Sequence, residues 1–218
     1  MAIRVLIADD HPVVRTGLRF VIEKTAADDI EIVAEAGDGL EALALVEKYL
    51  PDLVVMDITM PGMNGIEAIR RIGASHPESK AIMLSQHDRS VFVKEALTAG
   101  ARGYLVKETA MNDIVTAIRE VHAGKSYLSP SIAHVVIDDY VSGGGVDADE
   151  GGHANLTSRE REILQLIAEG LTSKDIAVRL TVSPNTVRAH RGNLMTKLDI
   201  HKETDLVRYA VKEGIAKL

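Results

Sequence analysis

The 218-residue sequence contains no cysteine and no tryptophan, and aromatic residues make up only 3% of it. The absence of cysteine excludes disulfides, zinc–thiolate sites, iron–sulfur clusters and a thiol nucleophile. The scarcity of aromatics argues against the stacking surfaces of single-stranded nucleic-acid binders. No apolar run approaches the roughly 18 residues of a membrane span, and Asp9 ends the apolar start too early for a signal peptide. We therefore expect a cytoplasmic protein with an aliphatic core and no membrane segment.

The net charge of −7 is distributed unevenly along the chain. Residues 1–125 carry 14 basic and 19 acidic side chains, residues 126–155 carry 5 acidic and no basic ones, and residues 156–218 carry 11 basic and 8 acidic ones. A basic segment behind an acidic body is typical of a polyanion-binding module attached to another domain.

The first half of the chain alternates short apolar runs with amphipathic stretches. The runs are rich in Val, Ile and Leu, as in strands buried on both faces; they are Ile3–Ala8, Ile32–Ala34, Leu53–Met56, Ala81–Leu84 and Gly103–Val106. Five strand–helix repeats predict an α/β fold with a doubly wound, five-stranded parallel sheet. In such sheets, ligands lie beyond the carboxyl ends of the strands.

The remaining sequence predicts a linker and a second, smaller domain. A short helix is expected from Pro130 to Val141, whereas Ser142–Ala154 is rich in Gly and Asp and predicts a flexible linker. We expect one domain at residues 1–124, the linker at 125–155, and an all-α domain of four helices at 156–218. The first helix is expected to begin with a capping box formed by Thr157 and Glu160, and the second with Ser173 as its cap. The third is expected to begin with Ser183 as its cap and Pro184 as its first residue, and the fourth at about Lys202.

Five residues with reactive or charged side chains follow strands of the predicted sheet: Asp9, Asp10, Asp57, Ser85 and Lys107. Because the carboxyl ends of parallel strands meet at one edge, we expect these side chains to lie together. Neighbouring carboxylates repel each other, and a hard divalent cation such as Mg²⁺ relieves the repulsion. A carboxylate beside a cation, a hydroxyl and an ammonium could accept a phosphoryl group. Ordinary turn residues and solvated charges remain the alternative for each position taken singly.

Asp9–Asp10, Asp57, Met60–Gly65, Ser85 and Gly103–Lys107 resemble the receiver domain of two-component response regulators. The resemblance implies a flavodoxin-like fold in which Asp57 accepts a phosphoryl group from a partner histidine kinase. It implies Mg²⁺ ligands at Asp9, Asp10, Asp57 and the backbone carbonyl of Thr59, and phosphoryl-binding and switch residues at Ser85, Tyr104 and Lys107. One position departs from the family, because Glu108 stands where many receivers have a proline after a cis peptide bond.

The second and third helices expected in the C-terminal segment, joined by residues 181–183, have the order of a helix-turn-helix. Arg188 and Arg191 lie near the start of the third helix, where arginine reads guanine in the major groove, and Lys197 lies at its end. Phosphate contacts are expected from the start of the second helix, at Thr172, Ser173 and Lys174. A helical bundle with solvated arginines is the alternative.

Leu156–Gly170, Ser173–Ala177 and Ser183–His190 resemble the LuxR-type DNA-binding domain. With the receiver, the whole chain resembles a response regulator of the NarL/FixJ class. This family implies base contacts from Arg188, Ala189 and the next helical turn, where Gly192 replaces the basic residue of some members. It also implies that the last helix pairs two protomers on double-stranded DNA, with Thr204, Asp205 and Arg208 in the contact.

The two resemblances together imply a phosphorylation-dependent DNA-binding regulator that forms a homodimer on activation and transforms no metabolite. Two other classes stay open. A haloacid-dehalogenase-type phosphatase also uses an Asp nucleophile with Mg²⁺, but it has a second Asp where this chain has Thr59. A phosphorylation-independent binding module would have the same DNA affinity with and without a phosphoryl donor.

Overall fold

The computed structural model describes residues 2–86, 90–141 and 156–216. The chain forms two compact units, one built mainly from residues 1–145 and one mainly from residues 146–218. The expected flexible linker at Ser142–Ala154 lies outside the described residues. Within the described part of the chain, no helix combines the length and apolar character that crossing a membrane requires.

The first unit is a doubly wound α/β fold around one parallel sheet. Its strands are β1 (Ile3–Ala8), β2 (Ile30–Ala36), β3 (Leu53–Asp57), β4 (Lys80–Ser85), β5 (Gly103–Val106) and β6 (Tyr127–Leu128), in the spatial order β2-β1-β3-β4-β5-β6. Its helices are α1 (Pro12–Thr25), α2 (Gly39–Tyr49), α3 (Gly65–Ser75), α4 (Ser90–Ala99), α5 (Lys107–His122) and α6 (Pro130–Val141). Helix α1 packs on α5, while α3 packs on both α2 and α4. The predicted fold class is confirmed.

The sheet has six strands, whereas the sequence predicts five. The additional strand, β6, is two residues long and pairs in parallel with β5, so that Gly103 lies opposite Tyr127 and Tyr104 opposite Leu128. Two residues are too few to produce an apolar run or an alternating pattern. The strand therefore leaves no signal in the sequence.

The core of the first unit is mainly aliphatic, as the composition predicts. All five residues of β3 are buried, so the central strand is covered on both faces. On one face, Leu18 and Ile22 of α1 and Ile114 and Ile118 of α5 pack into a single cluster with the strands. This packing holds the carboxyl ends of β1, β3, β4 and β5 at fixed positions along one edge of the sheet.

The second unit consists of α7 (Ser158–Ala168), α8 (Ser173–Arg179), α9 (Pro184–Lys197) and α10 (Glu203–Lys212). The capping box of α7 is confirmed, because Thr157 and Glu160 each accept a hydrogen bond from the other's backbone N–H. The prediction that Ser173 caps α8 is wrong. Thr172 is the cap, since its hydroxyl accepts from the Asp175 N–H while the Asp175 carboxylate accepts from the Thr172 N–H.

Candidate functional site

Carboxylates from two neighbouring strands meet at the edge of the sheet. Asp9 and Asp10 directly follow β1, and Asp57 ends β3. Ligand atoms of these three residues and of His11 all lie within 4.8 Å of one another. The Asp9 side chain is fully buried and Asp57 is only 2% exposed. The structure thus brings together the three carboxylates that the sequence predicts, with Asp9 and Asp57 buried and Asp10 partly exposed to solvent.

Lys107 joins two of these carboxylates from the first residue of α5. Its Nζ lies 2.7 Å from Asp9 Oδ2 and 2.8 Å from Asp57 Oδ2. Burial lowers the pKa of Lys107, but attraction and hydrogen bonding from Asp57 and then Asp9 outweigh it, and the net direction of the pKa is upward. The lysine is therefore a permanent ammonium at neutral pH, placed against the carboxylate expected to react.

The remaining predicted pocket residues are buried beside this cluster. Thr59 donates its backbone N–H to Asp57 Oδ1 at 3.4 Å. Ser85 ends β4 next to β3, and Tyr104 lies in β5; both are fully buried. Among the described residues every peptide bond is trans, including the one between Lys107 and Glu108.

Gly65 allows the loop after Asp57 to pack closely against the strand. A Cβ at this position would lie 1.9 Å from the Asp57 backbone carbonyl oxygen, so no other residue fits without displacing the backbone. The Gly65 N–H donates to the Ile58 carbonyl at 2.8 Å, and Asn64 caps α3 by accepting from the Glu67 N–H. The segment Met60–Gly65 therefore fixes the backbone around Asp57.

His11 belongs to the cluster, and the sequence reasoning missed it. Its Nδ1 lies 2.7 Å from Asp10 Oδ1 and 3.2 Å from Asp9 Oδ1, and its backbone N–H donates to Asp9 Oδ1. Adjacency to Asp9–Asp10 was the available signal. It was insufficient because the spacing in a loop does not determine where a side chain points.

The donor set of the pocket fits a hard divalent cation. Carboxylate oxygens from Asp9, Asp10 and Asp57 lie within 4.8 Å of one another, close enough to bind one ion. Mg²⁺ prefers oxygen ligands. A bound cation would also relieve repulsion between the carboxylates, which the single Lys107 ammonium offsets only in part. The pocket is thus compatible with Mg²⁺.

The second unit forms a helix-turn-helix. Val187 and Leu194 of α9 are buried in a core with Ile176 and Ala177 of α8 and with α7 and α10. The opposite side of α9 is exposed to solvent and includes Arg188, Ala189 and Gly192. The predicted base-reading positions therefore lie on one accessible helix face.

The three basic residues of α9 have different surroundings. Within the described part of the chain, Arg188 is exposed and forms no ion pair. Arg191 pairs with Glu203 at the start of α10, and Lys197 Nζ lies 2.7 Å from Glu160 Oε2 at the start of α7. Arg191 and Lys197 thus connect α9 to its neighbouring helices, while Arg188 extends from the surface.

The other predicted DNA and dimer contacts lie at the start of α8 and along α10. The Thr172 hydroxyl is engaged in the cap of α8, Ser173 is half-buried and Lys174 is exposed. Of the residues on α10, Thr204 is exposed, and Arg208 is 85% exposed with its guanidinium 3.9 Å from Asp205. Lys174, Thr204 and Arg208 therefore have side chains accessible to a partner.

The Glu160–Lys197 pair predicts acid sensitivity of the second unit. Burial raises the pKa of Glu160, but hydrogen bonds from Lys197 and Thr157 outweigh it, so the net direction is downward from 4.5. A lowered pKa means that the stabilisation is complete above pH 4.5 and is lost as pH falls below it.

At pH 7 we expect Glu160→Gln to lower the free energy of unfolding by about 1 kcal/mol. At pH 4 the difference in the free energy of unfolding between the wild type and Glu160→Gln should be smaller. Urea unfolding of the chain at both pH values measures it. The same difference at both pH values would contradict a stabilising role for ionised Glu160.

Each of the two units matches a known protein family. The response regulator receiver domain family matches residues 5–119, and the luxR family of bacterial regulatory proteins matches residues 154–210. The chain is 37% identical over 215 residues to the oxygen regulatory protein NreC of Staphylococcus carnosus (strain TM300), covering 97% of this chain and 98% of that protein.

Solved structures resemble the chain over most of its length. A LuxR-family two-component response regulator from Aurantimonas sp. SI85-9A1 matches with a TM-score of 0.61 and 38% identity, covering 65% of this chain and 99% of that chain. RcsB from Salmonella enterica serovar Typhimurium, bound to promoter P1flhDC in the presence of the phosphomimetic BeF3−, matches with a TM-score of 0.68 and 25% identity, covering 97% and 100%. The chain belongs to the two-component response regulators of the NarL/FixJ class, with a receiver domain followed by a LuxR-type DNA-binding domain.

Proposed function

We propose that this response regulator is switched by phosphorylation of Asp57, and that the phosphorylated chain forms a homodimer, binds double-stranded DNA and regulates transcription in the cytoplasm. The observation that carries the proposal is the position of the buried Asp57 carboxylate, at the carboxyl end of β3 and 2.8 Å from the Lys107 ammonium. A carboxylate held beside a fixed cation and next to other acids has the features of a phosphoryl acceptor.

Each residue of the pocket has a separate role in phosphoryl transfer. One Asp57 carboxylate oxygen forms a bond to phosphorus, while the bond from phosphorus to the histidine of a partner kinase, or to the acyl group of a small donor, breaks. Lys107 stays paired with the negative charge that spreads over the phosphoryl oxygens, and the Ser85 hydroxyl donates to one of them. Asp9, Asp10, Asp57 and the Thr59 carbonyl would hold Mg²⁺, which supplies further charge neutralisation on the same oxygens.

The response to phosphorylation passes through β5. Ser85 and Tyr104 are both buried and lie on adjacent strands, so a shift of Ser85 towards the phosphoryl group changes the space around Tyr104. The Tyr104 carbonyl accepts a hydrogen bond of 3.0 Å from the Ser129 N–H, directly before α6. This bond connects the switch position to α6, the helix directly before the Gly- and Asp-rich segment Ser142–Ala154.

DNA recognition is assigned to the exposed face of α9. Among the described residues the exposed Arg188 guanidinium has no ion-pair partner, as bidentate contact with guanine requires, and Ala189 and Gly192 lie on the same accessible side. Thr172, Ser173, Lys174, Arg191 and Lys197 are proposed to contact the phosphate backbone, and Thr204, Asp205 and Arg208 to contact the second protomer. RcsB bound to promoter DNA, which the chain resembles over 97% of its length, supports this assignment.

The residues of the pocket do not support the alternative function, that of a haloacid-dehalogenase-type phosphatase. Thr59 occupies the position that a second Asp would need in order to protonate a leaving group, and a hydroxyl does not do so at neutral pH. We therefore expect the receiver to catalyse only its own phosphorylation and dephosphorylation. Turnover of a generic aryl phosphate ester by the chain would contradict this.

We also propose that Gly192, which has no side chain, lets DNA approach α9 closely, and a pair of glycine substitutions tests this. A Cβ at Gly192, or at Gly73 in α3, meets no atom within 4 Å, so alanine fits both helices. Each substitution should raise the free energy of unfolding by up to about 1 kcal/mol. If the DNA backbone or a base lies against Gly192, Gly192→Ala weakens DNA binding while Gly73→Ala leaves it unchanged. Equal DNA affinities for the two variants would refute the close approach.

The proposed function is tested by DNA binding with and without phosphorylation. Duplexes enriched from a random pool by the chain treated with Mg²⁺ and acetyl phosphate serve as ligands. Affinity should be higher for the treated chain and should fall steeply as salt rises, because a dimer makes twice the phosphate contacts of a monomer. Equal affinity with and without acetyl phosphate would instead identify a phosphorylation-independent DNA-binding module.

A further inference from the structure

Arg15 reaches from α1 to the backbone of the acidic pocket. Its Nη1 donates to the Asp9 carbonyl oxygen at 2.6 Å, and its Nε donates to Glu35 Oε2 of β2 at 3.1 Å. The Arg15 side chain is only 19% exposed. A single guanidinium therefore connects the end of β1 to the neighbouring strand, at the residue where the metal-binding carboxylates begin.

The Asp9 backbone is fixed on both sides by these contacts. Its N–H donates to the Ala36 carbonyl at the end of β2, and its carbonyl accepts from Arg15. Two carboxylates, Asp9 and Asp10, leave this short segment towards the pocket, where they repel each other and Asp57. Without the Arg15 bond, the carbonyl is free to rotate and the segment can relax away from the crowded cluster.

Glu35 holds the Arg15 guanidinium in place. Burial raises the pKa of Glu35, but hydrogen bonds from Arg19 and Arg15 lower it, and the net direction is downward. Glu35 is therefore ionised at neutral pH and accepts from both arginines. Arg19 lies one turn after Arg15 on α1 and donates to Glu35 Oε1 at 2.6 Å, but among the described residues it does not contact Asp9.

We propose that Arg15 is a positioning residue of the metal and phosphoryl-acceptor pocket, acting through the Asp9 backbone carbonyl. This inference rests on the proposed function, because it assumes that Asp9 and Asp10 hold Mg²⁺. Arg15 touches neither the cation nor the phosphoryl group. Its contribution is to keep the two carboxylates at the spacing that a cation requires, as residues surrounding metal ligands do in other proteins.

The test compares two arginines that share Glu35 and differ in the contact with Asp9. Mn²⁺ binding to the full chain is followed by electron paramagnetic resonance, and Mg²⁺ affinity is obtained by competition. Arg15→Met should weaken Mg²⁺ binding about 10- to 100-fold. Arg19→Met should leave the affinity within a factor of about two, although it also removes a Glu35 ion pair.

A conservative variant separates positioning from general loss of stability. Arg15→Lys keeps a cation that can donate to the Asp9 carbonyl, so it should restore most of the Mg²⁺ affinity that Arg15→Met loses. Equal Mg²⁺ affinity of the wild type, Arg15→Met and Arg19→Met would overturn the inference while leaving the proposed function intact. A wild-type chain that binds neither Mn²⁺ nor Mg²⁺ would overturn the metal site itself, and this inference with it.

Discussion

Replacing Asp57 with Asn is expected to abolish incorporation of a phosphoryl group from radiolabelled acetyl phosphate in the presence of Mg²⁺. The amide has nearly the size and shape of the carboxylate, so the buried site can accommodate it, but it has no anionic oxygen to attack phosphorus. Lys107 keeps its second partner, Asp9, at 2.7 Å, so the variant does not leave an unpaired buried ammonium. The loss should therefore be a loss of chemistry with the fold retained.

Asp52→Asn is the matched control for this experiment. Asp52 directly precedes β3, at the opposite end of the strand from Asp57, and its Oδ2 accepts from the Arg4 N–H at 2.8 Å. Asn retains an oxygen acceptor there, so phosphorylation should match that of the wild type. Undiminished labelling of Asp57→Asn would show that a residue other than Asp57 accepts the phosphoryl group.

Replacing Arg188 with Ala is expected to weaken binding to DNA sites selected by the wild type by about 1–3 kcal/mol, roughly 5- to 150-fold, with relaxed preference at the base pair concerned. Arg188 is exposed on α9 and, among the described residues, has no ion pair to lose. The free energy of unfolding should therefore change by no more than about 0.5 kcal/mol. Fluorescence anisotropy with selected and single-base-changed duplexes measures both effects.

Lys197→Ala provides the contrasting variant on the same helix. Its ammonium is held by Glu160, which is only 4% exposed, so removing it leaves a nearly buried carboxylate without its cation. We expect this variant to lose stability, by about 1–2 kcal/mol, and to lose less DNA affinity than Arg188→Ala. If Lys197→Ala has the larger effect on binding and Arg188→Ala has none, the face of α9 assigned to base contacts is wrong.

The sequence predicts the sheet and the helix-turn-helix because both depend on local patterns. Strand β3 is a short apolar run that ends in Asp57, and α9 has Ser183 as its cap and Pro184 as its first residue, a pattern typical of a helix start. Strand β6 could not be predicted, since a two-residue strand exists only through pairing with β5. The cap of α8 was misplaced by one residue because Thr172 and Ser173 both have a hydroxyl, and only the position of Asp175 decides between them.

The composition of the pocket could be predicted from the sequence, but its contacts could not. Asp9 and Lys107 follow strands and Asp57 ends one, and the parallel topology brings all three to one edge. His11 and Arg15 were missed because their roles depend on side-chain direction and on a hydrogen bond to a backbone carbonyl, neither of which produces a sequence pattern. For the same reason, sequence spacing alone could not separate Arg188 from Lys197, whose surroundings are set by α7.

The molar mass of the chain in solution shows whether charge added at Asp57 drives dimerisation. Light scattering would be recorded in Mg²⁺ with and without beryllofluoride, a phosphoryl mimic, for the wild type and for Asp57→Asn. We expect a monomer of 23.6 kDa that doubles in mass only in the wild type and only with beryllofluoride. A mass that is the same in all four samples, or that doubles equally in Asp57→Asn, would contradict it.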